Sequence, residues 1–301
     1  MGPRVIGVDV GGTKTLAAVV TPDGSIEAQA LEPTDVSSED ALLAGLDAIV
    51  EELREGREIA ALGFGIPSRV DQRAGRAVAS VNIPLHGVDF RDRMRERHGL
   101  PVAIDNDANA AAIGEWQAGA AKGASVVVML TLGTGVGGGV VLDGRPFRGA
   151  TGVGAELGHI VIEADHGLPC GCGGSGHLES YASGNAATRA ARELYGEGSR
   201  GEELVAKAQE GDSRALEALR AIGRSLGAGI ATFVNVFEPE VLVVGGGLGS
   251  GAGELLLGPA REVLAREGLE PARDTVRIVQ AQLGFQAGVI GAGMIAFEAL
   301  G

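Results

Sequence analysis

Two cysteines stand one residue apart, Cys170-Gly171-Cys172, with His159 before them and His177 after. The chain has no other cysteine. Two thiolates and two imidazoles are the four-ligand nitrogen and sulfur set that tetrahedral Zn²⁺ prefers. The stretch runs from Glu156-Leu157-Gly158-His159 to Cys170-Gly171-Cys172-Gly173-Gly174-Ser175-Gly176-His177-Leu178-Glu179. Glu156 and Glu179 flank the cluster and are not needed as ligands. A metal there would brace the loop and leave two carboxylates free for other work. A disulfide across one intervening residue would close a strained ring. Idle thiols would need neither the flanking histidines nor the four glycines between Cys170 and His177. The chain opens Met1-Gly2-Pro3-Arg4 and passes straight into an apolar strand. A cytoplasmic location with reduced thiols is therefore expected.

Three glycine-rich segments follow apolar strands. In Asp9-Val10-Gly11-Gly12-Thr13-Lys14, glycines let the backbone approach a phosphate and successive N–H groups form an anion nest. Asp9 ends its strand, where an unpaired carboxylate is expensive and Mg²⁺ would compensate it; the plain alternative is a hairpin turn with Asp9 bonded to backbone. Thr131-Leu132-Gly133-Thr134-Gly135-Val136-Gly137-Gly138-Gly139 lacks the Gly-Lys-Ser/Thr ending of a P-loop. A strand follows it rather than the helix of a dinucleotide fingerprint. Gly245-Gly246-Gly247-Leu248-Gly249 reads as a third loop, able to take a base or ribose close to the backbone. Each alone is a weak signal; three in this order are stronger. Asn106-Asp107-Ala108-Asn109 joins a strand end to a helix start. Asn and Asp are ordinary caps there, but ligands of α/β sheets also gather at strand C-termini. Asp107 could accept a proton from a sugar hydroxyl.

The elements that must hold these residues form a mixed pattern. Val5–Val10, Leu16–Val20, Ile59–Ile66 and Val102–Ile104 read as strands, with a helix capped by Ser37 or Ser38 and a second from Ala108 to Trp116. Gly119 to Gly123 looks like a joint. Beyond it, strand, glycine turn and strand recur at Ser125–Leu142, a weak internal repeat. Residues 183–237 are mainly helical, Val241–Val244 and Val276–Val279 are strands, and Gln286–Leu300 is a closing helix. Strands with helices on both sides imply α/β layers. The 301 residues suffice for two domains, with 45% apolar and 21% charged content suiting a globular core. The net charge of −14 opposes nucleic-acid or membrane partners, which need a cationic surface.

Together these segments resemble the ROK family of sugar kinases and regulators, and within it the bacterial glucokinases. Six motifs carry the resemblance: Asp9-x-Gly11-Gly12-Thr13, Asn106-Asp107-x-Asn109, Leu132-Gly133-Thr134-Gly135-x-Gly137-Gly138-Gly139, Glu156-x-Gly158-His159, Cys170-x-Cys172-Gly173-x-x-Gly176 and Gly245-Gly246-Gly247. The Glu-x-Gly-His and Cys-x-Cys-Gly combination is the most specific of them. The resemblance implies an actin-like ATPase, hexokinase-type (ribonuclease H-like) α/β fold with two lobes and a central cleft. The small lobe would be residues 1–118, completed by the closing helix 286–301, and the large lobe residues 119–285. It implies ATP with Mg²⁺ at Asp9, Gly11, Gly12, Thr13, Lys14, Gly133, Thr134, Gly135, Gly137, Gly245, Gly246 and Gly247. Asp107 matches the catalytic base. Gly65, Asn82, Asn106, Asp107, Glu156, His159 and Glu179 match sugar-contacting positions, and structural Zn²⁺ would sit on His159, Cys170, Cys172 and His177. His159 would serve both metal and sugar, one ring nitrogen to each. Two departures stand out: a third cysteine is usual where His177 stands, and glycine is common where Ser68 follows Pro67.

The expected reaction is ATP-dependent phosphorylation of glucose at its 6-hydroxyl. The alternatives are a kinase for N-acetylglucosamine, N-acetylmannosamine or fructose, a sugar-responsive regulator, and a structural zinc module. Regulators of this family carry a winged-helix domain ahead of the kinase-like body, and here the first phosphate-loop Asp is already residue 9. A zinc module would leave the glycine loops and Asp107 unexplained. The family commonly dimerises, so a homodimer or higher homo-oligomer is expected.

Overall fold

The structure is a computed structural model that describes residues 2–80 and 82–301. Its first half runs β1 (Val5–Val10), β2 (Lys14–Val20), β3 (Ile26–Pro33), α1 (Glu39–Arg54), β4 (Ala61–Ile66), β5 (Ser68–Asp71), β6 (Arg76–Ser80), β7 (His86–Val88), α2 (Phe90–His98), β8 (Val102–Asn106) and α3 (Asp107–Ala118). The second half runs β9 (Val127–Leu132), β10 (Val136–Leu142), β11 (Arg145–Pro146), α4 (Glu179–Ala182), α5 (Gly184–Tyr195), α6 (Gly201–Gln209), α7 (Ser213–Phe237), β12 (Val241–Gly245), α8 (Gly246–Ala252), α9 (Glu254–Glu267), α10 (Ala272–Thr275), β13 (Arg277–Gln280) and α11 (Ala287–Glu298).

The repeat hinted at by the sequence is a duplication of sheet topology. One sheet has the order β3-β2-β1-β4-β8 and the other β11-β10-β9-β12-β13. In each, the first three strands are antiparallel and the last two are added in parallel. The β1 sequence is almost wholly apolar because the strand is buried on both faces. Each sheet anchors its own large apolar cluster, one built around Phe64, Phe90 and α1, the other around α7 and α9. The molecule is thus the two-lobed α/β fold expected.

Between the sheets lie α3 and α11. Helix α11 packs on β1, β4 and α3, while α3 also touches β10 of the second sheet. These approaches are backbone to backbone. A Cβ on Gly291 would lie 1.7 Å from the Ala110 carbonyl oxygen, and one on Gly63 would lie 1.9 Å from that of Ala292. Glycine permits this contact because it has no side chain to exclude. Ser38 is the residue that caps α1, accepting from the Ala41 amide. Among the described residues no helix is long and apolar enough to cross a membrane.

Candidate active site

The pair Asn106-Asp107 stands where β8 ends and α3 begins. Asn106 Oδ1 accepts from the amides of Ala108 at 2.9 Å and Asn109 at 3.3 Å, and its Nδ2 donates to the Ser68 carbonyl at 3.3 Å. Asn106 therefore does cap the helix, as the plain reading of its type suggests. Asp107 is then fixed as the first helical residue, its Oδ1 accepting from the Ala108 amide at 2.9 Å. Burial raises its pKa above the usual carboxylate value; backbone hydrogen bonds oppose the rise and the charge of Glu156 adds to it. A cleft lined by Arg69, Asn106, Asp107, Gly137 and Glu156 brings the two carboxylates together across the two sheets. A Cβ on Gly65 would lie 3.7 Å from Asp107 Cα and 3.9 Å from Asp9 Oδ1, so Gly65 forms the floor between those acids. Asn82 is exposed and lies against Gly12, at the first glycine turn.

Asp9 to Lys14 form the β1–β2 hairpin, closed by the Gly11 amide donating to the Lys14 carbonyl at 3.0 Å. The hairpin forms as that alternative has it, but the Asp9 carboxylate is not bonded to backbone. Among the described residues nothing hydrogen-bonds it, and burial first, then the charge of Asp107, pushes its pKa up to about 7 against a lowering by Lys14. A carboxylate without a hydrogen-bond partner, close enough to Asp107 to feel its charge, suits a divalent cation, which would restore its own charge.

The second glycine segment is the turn between β9 and β10. Its Gly133 carbonyl accepts from the Gly184 amide at 2.7 Å, and that of Thr134 from Asn185 at 3.2 Å, so the start of α5 supports it. The third segment is not a loop: Gly246 opens α8. Gly246 has φ +81, and a Cβ there would lie 2.5 Å from the Leu132 carbonyl. The second and third segments therefore abut, Gly246 lying against the backbone of Leu132.

His159, Cys170, Cys172 and His177 converge, with one donor atom from each lying within 4.8 Å of the others. The cysteines are free. Zn–N bonds of about 2.0–2.1 Å and Zn–S bonds of about 2.3 Å at tetrahedral angles require N···N of about 3.4 Å and N···S of about 3.6 Å. The two Nδ1 atoms are 3.4 Å apart, Cys170 Sγ lies 3.6 Å from His159 Nδ1 and Cys172 Sγ lies 3.3 Å from His177 Nδ1. The donor set fits zinc in type and spacing. Burial pushes the Cys170 thiol up to about 11, so a cation is needed to make its thiolate stable. His159 turns Nδ1 into the cluster and Nε2 toward Glu156, 4.0 Å from its Oε2. Glu179 joins the cluster to the second glycine turn. It accepts from Cys170 Sγ at 3.4 Å and, through Oε2, from the Val136 amide at 3.0 Å.

The sequence reading does not single out Asp105, Arg148 or Glu115. Asp105, wholly buried beside Asn106, pairs with Arg148. Glu115, wholly buried in α3, accepts from the amides of Ala120, Gln282 and Leu283 at 2.8, 3.1 and 2.7 Å. Those amides belong to the two chain segments that run between the sheets. A lone acid inside the alanine-rich run Ala108 to Ala118 was the available signal for Glu115.

The site and fold place the chain among nucleotide-dependent enzymes of the hexokinase type, and similarity to known proteins narrows this. Residues 5–299 match the ROK family. A glucokinase of Streptomyces coelicolor is 38% identical, over 97% of this chain and 97% of that one. One of Thermotoga maritima is 36% identical over 99% and 98%. Among solved structures, a ROK family glucokinase from Streptomyces griseus in complex with glucose and AMPPNP superposes with a TM-score of 0.86, at 36% identity over 98% of this chain and 99% of that one. The chain belongs to the ROK family.

Proposed function

We propose that this protein is an ATP-dependent glucokinase, moving the γ-phosphoryl group of ATP to the 6-hydroxyl of glucose and releasing ADP and glucose 6-phosphate. The observation that carries this reading is the cleft in which Asp107, from the end of β8, faces Glu156 and Gly137 from the other side. Phosphoryl transfer needs alignment and charge neutralisation more than covalent chemistry. Asp107 would accept the proton of the 6-hydroxyl as that oxygen attacks phosphorus and the bond to the β-bridging oxygen breaks. Its raised pKa makes it a better base than a solvated aspartate. Glu156, His159 Nε2 and Asn106 Nδ2 would hold other sugar hydroxyls. The backbone around Gly11–Thr13 and Gly133–Gly137 would cradle the phosphates, with Gly245–Gly247 beneath the nucleoside. Asp9 would hold Mg²⁺, which when bound neutralises phosphate charge. Zinc on His159, Cys170, Cys172 and His177 would be structural, keeping Glu156, His159 and Glu179 in register. The lobes of this reading are residues 1–118 with 286–301, and 119–285.

The test is ADP release measured over a panel of hexoses. Glucose should give a higher kcat/KM than N-acetylglucosamine, N-acetylmannosamine or fructose. A tenfold preference for an N-acetylated sugar overturns the substrate assignment, and ADP release that no sugar stimulates overturns the kinase assignment.

A further inference from the structure

We propose that Arg148 is a positioning residue that ties the loop carrying Glu156 to the strand end carrying Asp107, so that sugar contact and base are set as one unit; this rests on the glucokinase reading for its effect on rate. Asp105 is wholly buried at the end of β8. Its Oδ1 accepts from the Asn106 amide at 2.8 Å and from Asn109 Nδ2 at 3.0 Å. Its Oδ2 accepts from Arg148 Nε at 2.6 Å. One carboxylate therefore holds both Asx residues that bracket Asp107 in the chain. Arg148 is its only cationic partner among the described residues. The outer nitrogen of Arg148 reaches Glu298, near the end of α11, at 3.1 Å. Burial opposes the charge of the guanidinium, but Asp105 and Glu298 outweigh it and keep it ionised.

Arg148 comes from the other sheet's side, two residues beyond β11. Its carbonyl accepts from the Gly154 amide at 3.0 Å, closing the loop 148–154 on itself. The loop presses on the first half of the chain: a Cβ on Gly152 would lie 2.4 Å from the Val70 carbonyl oxygen. Gln72, two residues on, donates to the Ile104 carbonyl of β8 at 3.0 Å. The loop then leads into Ala155, a non-glycine residue at φ 64. That conformation is unfavourable for an L-residue and persists where surroundings impose it, often beside a functional group. Glu156 follows directly. Arg148 thus holds one end of a strained loop whose other end aims Glu156, and the same guanidinium orders Asp105, Asn106 and Asn109 around Asp107. An ion pair placed only for stability would not need to bridge these two segments.

The experiment compares Arg148→Gln with the paired variant Asp105→Asn/Arg148→Gln. The single change leaves a buried carboxylate without its cation and lowers stability. The pair removes both charges, so stability returns. The proposal expects kcat with glucose and MgATP to fall about 100-fold in both variants, the effect of a misplacement of about 1 Å. KM for MgATP should stay within about twofold. Recovery of kcat along with stability in the paired variant overturns the proposal, because the role would then be structural alone. Hydrogen exchange supplies a readout that needs no substrate: in the paired variant the amides of Ala108 and Asn109 should lose protection while those of α7 keep theirs. Unchanged protection at Ala108 and Asn109 also overturns the proposal. If the parent fails to phosphorylate glucose, the function assignment fails, and exchange still decides the role of Arg148.

Discussion

Replacing Asp9 with asparagine should make the metal-free protein more stable at pH 8 while disabling it as a kinase. The carboxylate sits at the end of β1, and a Cβ on Gly288 of α11 would lie only 2.4 Å from its Oδ2. Burial first and Asp107 second raise its pKa from 3.8 to about 7, with Lys14 acting the other way. A folded pKa above the unfolded one means that the proton is held more tightly in the native state. Stability from this group is therefore complete below about pH 3.8 and is lost as pH rises through about 7. The rise from 3.8 to about 7, at about 1.4 kcal/mol per tenfold change, sets a ceiling of about 4 kcal/mol at pH 8. Asp9 is only partly buried, so solvent screens its charge and brings this to roughly 1–2 kcal/mol. At about 2–4 °C per kcal/mol, Asp9→Asn should melt roughly 2–8 °C higher than the parent at pH 8. The advantage should shrink steadily as the pH is lowered toward 4. Thermal melts in EDTA from pH 4.5 to 8.5 measure it directly. The same variant should retain glucose affinity and lose most of its use of MgATP. A variant no more stable than the parent at pH 8, or an advantage that does not vary with pH, refutes the burial argument.

Metal analysis should find about one zinc per chain. Cys172→Ser should lose zinc and at least about tenfold in glucose affinity together, whereas His177→Cys should keep both; active protein without zinc contradicts the structural role. Glu115→Ala removes the buried acceptor of three amides, and at about 1 kcal/mol each should lower the melting temperature by roughly 6–12 °C. A drop under about 2 °C would mean that water replaces the carboxylate.

Parts of the candidate site are legible in the sequence because their residues act through local chemistry. The Cys-x-Cys pair with flanking histidines announces a donor set whatever the fold, and Asn106-Asp107 announces a strand-to-helix turn by residue type. The order of strands was less legible, since β1 pairs with β4 and β4 with β8 across long intervals. What the duplication left in the sequence was a repeated strand, glycine turn and strand. Gly245-Gly246-Gly247 reads as a loop by its glycines, and glycine is a poor helix former. Gly246 is needed instead for its positive φ and its contact with Leu132, and α8 begins there regardless. Asp105 and Arg148 are separated by 43 residues, so neither periodicity nor spacing connects them. Glu115 looks like an ordinary helix glutamate until the segments at 120 and 282–283 fold against it.

The proposed glucokinase activity turns on Asp107 as its base. It is tested most directly by Asp107→Ala, with kcat from ADP release and glucose binding from the fluorescence of Trp116, the chain's single tryptophan. Trp116 lies in α3, nine residues from Asp107, and donates through its indole to the Ala124 carbonyl at 2.8 Å, at the joint between the sheets. The account predicts that glucose still binds, that the fold persists, and that kcat falls about 10²–10⁴-fold. A folded variant that keeps more than about a tenth of the parent's kcat would contradict it.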